Sequence, residues 1–212
     1  MIIKSFELNK ISATKYKYFL FYGENEGLKA ELIKNNFEDS FKEATYHYEE
    51  KEILNNKEEF FNRILTKSFF EDKKLIIIKR ITDKIREVLE EVLAKEINDL
   101  TLILNSSSLE KKSKLRLLFE KNIKTICIPI YEDNNQTLNS IISQFFRNKK
   151  IPISQQLINV LIERSRGDRK NLNNELKKIE NFSLNKKNIN LQEIMKLTNL
   201  ADNYSASELI NH

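Results

Sequence analysis

The sequence predicts an α/β domain built on a parallel sheet, followed by a small all-helical domain. In the first half of the chain, short uninterrupted apolar runs alternate with helical patterns. This alternation is typical of parallel strands that helices cover on both faces of the sheet. After Tyr131 a polar stretch, residues 132–135, is followed only by helical patterns. We therefore expect the two domains to occupy residues 1–133 and 134–212.

Five segments of the first half are predicted to be strands, four of them apolar and one weaker. In chain order they are Tyr18–Tyr22, the weaker segment 44–48, and the segments 75–78, 100–104 and 126–128. The first run stops at Gly23 and the last at Pro129, and both residue types commonly punctuate regular elements. Helices are predicted between the strands, over residues 26–35, 57–66, 83–95 and 109–119.

The helix at 83–95 has the most regular pattern of this half. Its apolar residues recur at i, i+3, i+4, i+7 and i+8, the spacing that places side chains on one helical face. They are Ile85, Val88, Leu89, Val92 and Leu93. The pattern predicts an amphipathic helix that packs on the sheet.

The second half reads as successive helices. The first carries apolar residues at helical spacing, namely Leu138, Ile141, Ile142, Phe145 and Phe146. Pro152 is predicted to open the next helix and Gly167 to end it. Asp168 is a suitable N-cap for a third helix, whose buried face would consist of Leu172, Leu176 and Ile179. Two shorter helices are expected near 190–197 and 205–211.

Composition excludes several classes of protein. The 212 residues are 40% hydrophobic and 32% charged, as in a folded globular chain. The single Cys127 argues against a disulfide framework, and two histidines argue against a histidine metal site. No stretch reaches the roughly 18 apolar residues of a membrane span, and the charged N-terminus does not fit a signal peptide. We expect a cytoplasmic protein without a metal site or membrane segment.

The turn after the first strand matches a phosphate-binding loop only in part. The pattern G-x-x-x-x-G-K-[ST] aligns its first glycine with Gly23 and its lysine with Lys29. Leu28 occupies the position of the second glycine, directly after Gly27. Ala30 replaces the hydroxyl residue that would bind magnesium, and two glutamates within the loop would repel phosphate.

These departures predict that the loop does not hydrolyse ATP. A phosphate cradle needs inward-facing backbone N–H groups, which glycine permits at tight positions, and a hydroxyl group for the metal. The next apolar run ends in Lys79 and Arg80 rather than in acidic residues. The loop is then either an ordinary strand-to-helix turn or the relic of a nucleotide-binding site. We find no other catalytic arrangement, and we expect no cofactor.

Two adjacent aromatic residues follow the helix predicted at 57–66. Ser68, Phe69 and Phe70 lie between that helix and a charged run, residues 71–74. Two explanations fit the pair equally well. In the first, one phenylalanine lies in the core and the other is partly exposed. In the second, the pair is an exposed aromatic anchor that enters a partner's pocket.

Net charge is +5 and the pI is about 9.0, which fits contact with nucleic acid but is also common among proteins with no such role. A basic cluster at a helix junction contains Arg164, Arg166, Arg169 and Lys170. It would suit phosphates on nucleic acid or a nucleotide, or it forms a solvated helix cap. The basic residues of a second stretch, 111–124, would not all lie on one face of a helix, and we interpret them as ordinary surface charge.

Four stretches in this order are similar to a known family. They are Tyr22–Glu26 after the first strand, Ser68–Phe70 before the strand at 74–78, residues 102–106, and residues 162–179. The last is the most specific, because Gly167 and Asp168 precede the run NELKKI at 174–179. Together they resemble the delta subunit family of bacterial DNA polymerase III, the clamp-opening member of the clamp loader.

The resemblance implies an AAA+-like α/β domain with an inactive nucleotide site, followed by a helical lid domain. It implies that Phe69 and Phe70, beside Ser68, insert into an apolar pocket of the sliding clamp (the beta subunit) and favour the open ring. Sister subunits of the gamma/tau and delta prime types would hydrolyse ATP, and primed DNA would be reached through the complex. The family also has a helical collar domain, which we expect to be absent from this chain.

Two other functions compete with this interpretation. One is an active ATPase whose loop tolerates Leu28 and Ala30, and nucleotide-dependent thermal stabilisation would support it. The other is a general nucleic-acid-binding module, which predicts tight, salt-sensitive DNA binding without a clamp.

Overall fold

The structure is a computed structural model that describes residues 1–11, 16–41, 44–66, 73–184 and 191–199. The chain divides into two compact units, with the boundary between Tyr131 and Glu132. The first unit is an α/β fold, and the regular elements of the second unit, in the part of it that the structure describes, are helices. Among the described helices, none is long and apolar enough to cross a membrane.

The first unit is built on a five-stranded parallel sheet with the order β2-β3-β4-β1-β5. The strands are β1 (Tyr18–Tyr22), β2 (Thr45–Glu49), β3 (Lys74–Lys79), β4 (Leu100–Ser106) and β5 (Thr125–Pro129). All five predicted strands are therefore confirmed; β1 has the predicted ends, and the ends of the others differ by at most two residues. At the β5 edge, Ile2 forms an isolated parallel bridge with Cys127.

Six helices accompany the sheet among the residues of the first unit that the structure describes. They are α1 (Glu26–Ile33), α2 (Asp39–Phe41), α3 (Glu50–Asn55), α4 (Lys57–Leu65), α5 (Arg86–Lys95) and α6 (Lys114–Lys121). Short 3₁₀ segments lie at Ser5–Lys10 and Asp83–Ile85, and a π-helical turn occupies Lys34–Glu38.

Several of these elements differ from the sequence prediction, among them the short helix α2, which was not predicted. The helix expected at 26–35 changes to the π-helical turn after Ile33, which places Phe37 against the ring of Phe19 at 4.8 Å between centroids. Helix α3 was not predicted, since its six residues carry little apolar periodicity. The helix expected at 109–119 begins only at Lys114, because the Ser113 side chain caps it by accepting a hydrogen bond from Arg116 N.

Alternate residues of β1 enter two separate cores. Leu20 lies on the face that packs against α3, α4, α5 and α6, together with Phe60 and Leu89. Phe19 and Phe21 lie on the opposite face, which α1 and the π-helical turn cover. Each fully buried apolar side chain contributes about 1.5–3 kcal/mol of transfer free energy. Burial on both faces explains why the strands contain unbroken apolar runs.

The second unit packs four described helices around one core. They are α7 (Asn135–Lys149), α8 (Gln155–Ser165), α9 (Arg169–Ser183) and α10 (Leu191–Asn199). The predicted face Leu172, Leu176 and Ile179 is buried there, with Leu138, Ile142, Phe146 and Leu161. Asp168 caps α9 as predicted, since its carboxylate accepts a hydrogen bond from Asn171 N.

The start of α8 corrects one prediction. Pro152 does not open this helix, because the Ser154 side chain caps Gln155–Ser165 by accepting from Leu157 N. The end of α8 lies before Gly167, where Arg166 has a φ of 53° and Gly167 a φ of 73°. The helix expected near 205–211 falls outside the described residues.

Candidate functional site

The loop between β1 and α1 lies at the carboxyl edge of the sheet, pressed against the ends of two strands. Gly23 has a φ of 137°, and its N–H donates to Ser107 O at 3.0 Å. A Cβ at this position would lie 1.8 Å from the carbonyl oxygen of Ile130. Glycine is therefore required here for a close approach of two backbone segments as well as for the positive φ.

The side chain of Lys29 is directed into the protein. Lys29 is fully buried, and its Nζ donates to Glu26 Oε1 and to the carbonyl oxygen of Ser106, both at 2.6 Å. Because a buried ammonium needs charge and hydrogen-bond partners, these two acceptors account for its burial. The lysine that aligns with the phosphate-contacting lysine is thus paired with a carboxylate of the same loop.

The other polar groups of the loop also bond within the protein. Asn25 caps α1 by accepting from Leu28 N at 2.9 Å, and its Nδ2 donates to Tyr131 O at 3.1 Å. Glu24 Oε1 accepts from Ser108 N at 2.9 Å. The Leu28 N–H is therefore already satisfied, although it aligns with the second glycine of a phosphate loop.

Three more predicted loop residues have clear positions. Gly27 is buried in the first turn of α1 and Leu28 is partly buried against the core of that face. Ala30 is exposed on α1 and presents a methyl group where a metal-binding hydroxyl would stand. The loop therefore carries two glutamates, and the charge of its lysine, Lys29, is paired with one of them, Glu26.

The end of β3 also lacks acidic ligands. Lys79 is exposed, and Arg80, with a φ of 55°, pairs with Glu49 Oε1 at 3.0 Å. The nearby carboxylate of Glu50 is buried and accepts from Thr82 N at 2.7 Å. Within the described part of the chain, no group of three histidine, cysteine or acidic side chains is arranged to hold a metal ion.

Ser68, Phe69 and Phe70 fall outside the described residues, so their role in clamp binding stays a prediction. Both sides of this segment are described. Helix α4 ends at Leu65, whose side chain is exposed, and Thr66 follows it. Lys74 begins β3 and donates from Nζ to the carbonyl oxygens of Arg63, at 3.3 Å, and Thr66.

The four residues of the basic cluster fall into two groups according to their contacts. Arg169 is buried and donates to both carboxylate oxygens of Asp133, at 2.7 and 2.6 Å. Arg164 donates to Met195 O at 3.1 Å and to the hydroxyl of Thr198. Arg166 and Lys170 are exposed. Two of the four cations therefore stabilise the second unit, and two face solvent.

Sequence reasoning missed three contacts around these residues. Glu26 and Lys29 are three positions apart on α1, a spacing that already signals an ion pair. A lysine at the head of an otherwise apolar strand was the available signal for the buried Lys74. The Asp133–Arg169 pair joins residues 36 positions apart and left no local signal.

Comparison with known proteins is consistent with this geometry. Residues 19–129, just over half of the chain, match the sequence profile of the family described as DNA polymerase III, delta subunit. No curated protein sequence matches the chain.

Three solved structures share the fold at low sequence identity. The Bacillus subtilis DNA clamp loader delta protein (YqeN) has a TM-score of 0.56 and 16% identity, covering 91% of this chain and 62% of that chain. Domain III of the Thermotoga maritima replication initiation protein DnaA has a TM-score of 0.54 and 17% identity, covering 93% and 88%. The Thermotoga maritima RuvB Holliday junction branch migration motor has a TM-score of 0.58 and 16% identity, covering 92% and 66%.

These similarities establish the fold as AAA+-like: a five-stranded parallel sheet with flanking helices, followed by further helices. The chain spans about three fifths of the length of the clamp loader delta protein that it matches. The fold and the match over residues 19–129 lead to one conclusion: the chain belongs to the DNA polymerase III delta subunit family.

Proposed function

We propose that this chain is the clamp-binding subunit of a replicative clamp loader. It binds the sliding clamp through Ser68, Phe69 and Phe70 and favours the open ring, so that the clamp can be loaded on primed DNA. The observation that carries the proposal is the family match over residues 19–129, which spans this segment.

The mechanism is differential binding. A ligand shifts a conformational equilibrium only by its preference for one state, so the subunit must bind the open clamp more tightly than the closed one. Two adjacent aromatic anchors suit this role, because a few buried aromatic side chains commonly supply most of the affinity of an interface. Helix α4 brings the chain to this segment, and its end is held by Lys74.

The proposed subunit performs no ATP hydrolysis of its own. Support comes from the loop of Gly23, Gly27, Leu28, Lys29 and Ala30, where Lys29 already pairs with Glu26. A phosphate would have to compete with that carboxylate in a buried setting, where electrostatic interactions are strong. ATP would then be bound and hydrolysed by partner subunits of the gamma/tau and delta prime types.

We propose further that residues 1–133 form the clamp-binding domain and residues 134–212 the lid. The lid presents Arg166 and Lys170 to solvent, where they are available to phosphates within the assembled loader. The same proposal places the protein in the cytoplasm, with DNA reached through the complex.

The affinity of the full chain for its cognate sliding clamp tests the proposal. Replacing both anchors, Phe69→Ala with Phe70→Ala, should weaken binding by at least about 2 kcal/mol, roughly thirtyfold, because the clamp pocket loses its aromatic contacts. Surface plasmon resonance measures the effect. Phe6→Ala is the matched control, since this ring is 66% exposed on the same unit.

Two results would contradict the proposal in different ways. If the wild-type chain does not bind the clamp, the proposed function is wrong. Salt-dependent DNA binding by the isolated chain is then the next measurement. If the clamp binds strongly and the double substitution does not change the affinity, the proposed function stands, but Phe69 and Phe70 are not its site. Circular dichroism confirms that each variant is folded.

A further inference from the structure

Helices α5 and α6 enclose a groove on the surface of the first unit. Arg86 and Glu90 line it from α5, and Lys114, Leu117 and Lys121 line it from α6. Its volume is about 420 Å³. A second groove of about 330 Å³, which Glu90 also lines, continues it toward the carboxyl ends of both helices. The surface is therefore long enough for a segment of chain rather than a single small group.

Two of the cations along this groove have no ionic partner. Arg86 pairs with Glu90 at 2.7 Å on α5. Lys114 and Lys121 are exposed, and neither side chain forms an ion pair with any residue in the described part of the chain. The neighbouring Asp83 contacts Lys114 through the backbone, by accepting a hydrogen bond from Lys114 N at 3.1 Å. Both ammonium groups are thus free to pair with carboxylates of a partner.

These two lysines flank an exposed apolar side chain. Lys114, Leu117 and Lys121 are three and four residues apart on α6, which places them on one face of the helix. Leu117 is 37% exposed, and Ile123, just after the helix, is 84% exposed. From the sequence we interpreted the basic residues of 111–124 as ordinary surface charge. The structure shows that two of them lie on either side of a leucine in one groove.

This combination favours a peptide over a nucleic acid as the occupant. Single-stranded nucleic acids commonly stack their bases on aromatic side chains, and none of the described residues that line either part of the groove is aromatic. Glu90 and Glu96 also lie along it and would repel a continuous phosphate backbone. A peptide can instead place carboxylates opposite the lysines and an apolar side chain opposite Leu117.

We propose that the groove between α5 and α6 is a docking surface for an acidic peptide segment of a partner protein. An apolar side chain of that segment covers Leu117, and carboxylates on either side of it pair with Lys114 and Lys121. Seven residues of helix separate the two lysines by about 10 Å along the axis. Carboxylates two turns apart on a partner helix match this distance, as in other grooves that bind an amphipathic helix. The inference does not depend on clamp binding through Phe69 and Phe70.

Binding of a labelled peptide to the full chain tests the proposal. The probe is a fluorescein-labelled amphipathic helix that carries a leucine between two glutamates two turns apart, and fluorescence anisotropy measures its Kd. Replacing both lysines, Lys114→Gln with Lys121→Gln, should weaken binding at least about tenfold, because the glutamates lose their ionic partners. Leu117→Gln should weaken it by a similar factor, about tenfold, because the apolar contact is lost.

Matched controls come from exposed residues of the same unit. Lys51→Gln with Lys57→Gln makes the same change in net charge on α3 and α4. Leu65→Gln replaces a leucine that is 47% exposed. Both controls should bind the probe like the wild type. Circular dichroism checks that every variant is folded, and Lys121→Gln alone, which should still weaken binding, replaces the double variant if that one is not.

Four results would overturn the proposal. The first is a wild-type chain that does not bind the probe at millimolar concentration. The second is a loss of affinity in the lysine controls as large as that in the groove variants. The third is equal affinity for an oligoglutamate of the same charge, which would show that Leu117 makes no contact. The fourth is tighter binding of a single-stranded DNA oligonucleotide that requires Lys114 and Lys121, which would assign the groove to nucleic acid.

Discussion

Lys29 is the residue at which this fold departs most clearly from a nucleotide-binding protein. Its ammonium is fully buried between Glu26 and the carbonyl oxygen of Ser106. A lysine that binds phosphate must instead direct its charge toward the ligand. The same side chain that would contact phosphate has become a link between α1 and the end of β4. Such a link stabilises the loop in the absence of any ligand.

Gly23 and Gly167 provide a matched test of what the loop between β1 and α1 requires. Gly23→Ala should destabilise the first unit by at least about 3 kcal/mol, because its Cβ would overlap the Ile130 carbonyl and its φ is positive. Gly167→Ala should cost only about 1 kcal/mol, since its φ is also positive but its Cβ would lie in open space.

Urea denaturation of the two glycine variants, followed by circular dichroism, gives the comparison. Equal losses of stability would mean that backbone conformation, rather than the contact with Ile130, determines the requirement at Gly23.

At the scale of secondary-structure elements, helix α6 is capped by a side chain from a distant turn. Asp83 accepts hydrogen bonds from Ser113 Oγ at 2.6 Å, Leu115 N at 2.9 Å and Lys114 N at 3.1 Å. Burial by itself would raise the pKa of Asp83, but these hydrogen bonds outweigh it and lower the pKa below its ordinary value of 3.8. The carboxylate is thus more acidic in the folded protein than in the unfolded chain.

This lowered pKa predicts an acid-dependent stability. At a pH above the pKa of Asp83 in the unfolded chain, this carboxylate contributes its full stabilisation. The contribution is lost as the pH falls through the pKa in the folded protein, because between the two pKa values the unfolded state binds more protons. The free energy of unfolding should therefore differ between wild type and Asp83→Asn more at pH 7 than at pH 3. Urea titrations at both pH values measure it, and an identical difference at the two would contradict the assignment.

Among the described residues of the second unit, Arg169 and Asp133 form a buried ion pair. The side chains of Arg169 and Asp133 are 8% and 4% exposed, and they meet in a bidentate contact. Removing either partner alone, as in Arg169→Met or Asp133→Asn, should destabilise the unit by about 3–5 kcal/mol, because the remaining charge stays buried. The double variant should lose less than the sum of the two single variants.

An exposed ion pair of the same unit is the control for this cycle. Lys149 and Glu180 form a pair whose side chains are 37% and 39% exposed, so Lys149→Met should cost less than about 1 kcal/mol. If Arg169→Met costs no more than Lys149→Met, the buried pair does not stabilise the unit as argued. Thermal and urea denaturation of the four variants measure the differences.

For the whole molecule, we expect no response to nucleotide. A ligand present at 100 times its Kd stabilises the folded state by about 2.7 kcal/mol, which would raise the Tm of a chain of this size by several degrees. Millimolar ATP with magnesium should leave the Tm of the full chain unchanged within about 1 °C. A clear upward shift would favour an ATPase and would overturn the interpretation of Lys29 as a purely internal partner.

Much of the fold is readable in the sequence because local patterns determine it. The unbroken apolar run of β1 and the repeating stripe of α5 predict elements that the structure confirms. Asp168 caps α9 as its position suggests, since a cap depends on residues within one helical turn. Prediction failed at two helix ends where a distant residue makes a contact. Phe37 packs against Phe19 where a π-helical turn follows α1, and Asp83 accepts a hydrogen bond from Ser113 Oγ, 30 positions away, at the start of α6.

From the sequence, only the departures of the candidate site from a phosphate-loop pattern could be predicted. Leu28 and Ala30 differ from a phosphate loop in the sequence itself, whereas the state of Lys29 depends on Ser106, which lies 77 positions away. The assignment of Phe69 and Phe70 rests on the resemblance to the family and stays a prediction.

The order of strands and helices, the amphipathic faces and the groups that the phosphate loop lacks can all be read from the amino-acid sequence. The strand order β2-β3-β4-β1-β5 and the partners of the buried charges emerge only from the three-dimensional fold: Lys29 pairs with Ser106, Lys74 with Thr66, and Arg169 with Asp133. The reason is physical. Periodicity and caps act over a few residues, but a buried charge is stabilised by whichever polar group the fold brings to it, and that group has no fixed distance along the chain.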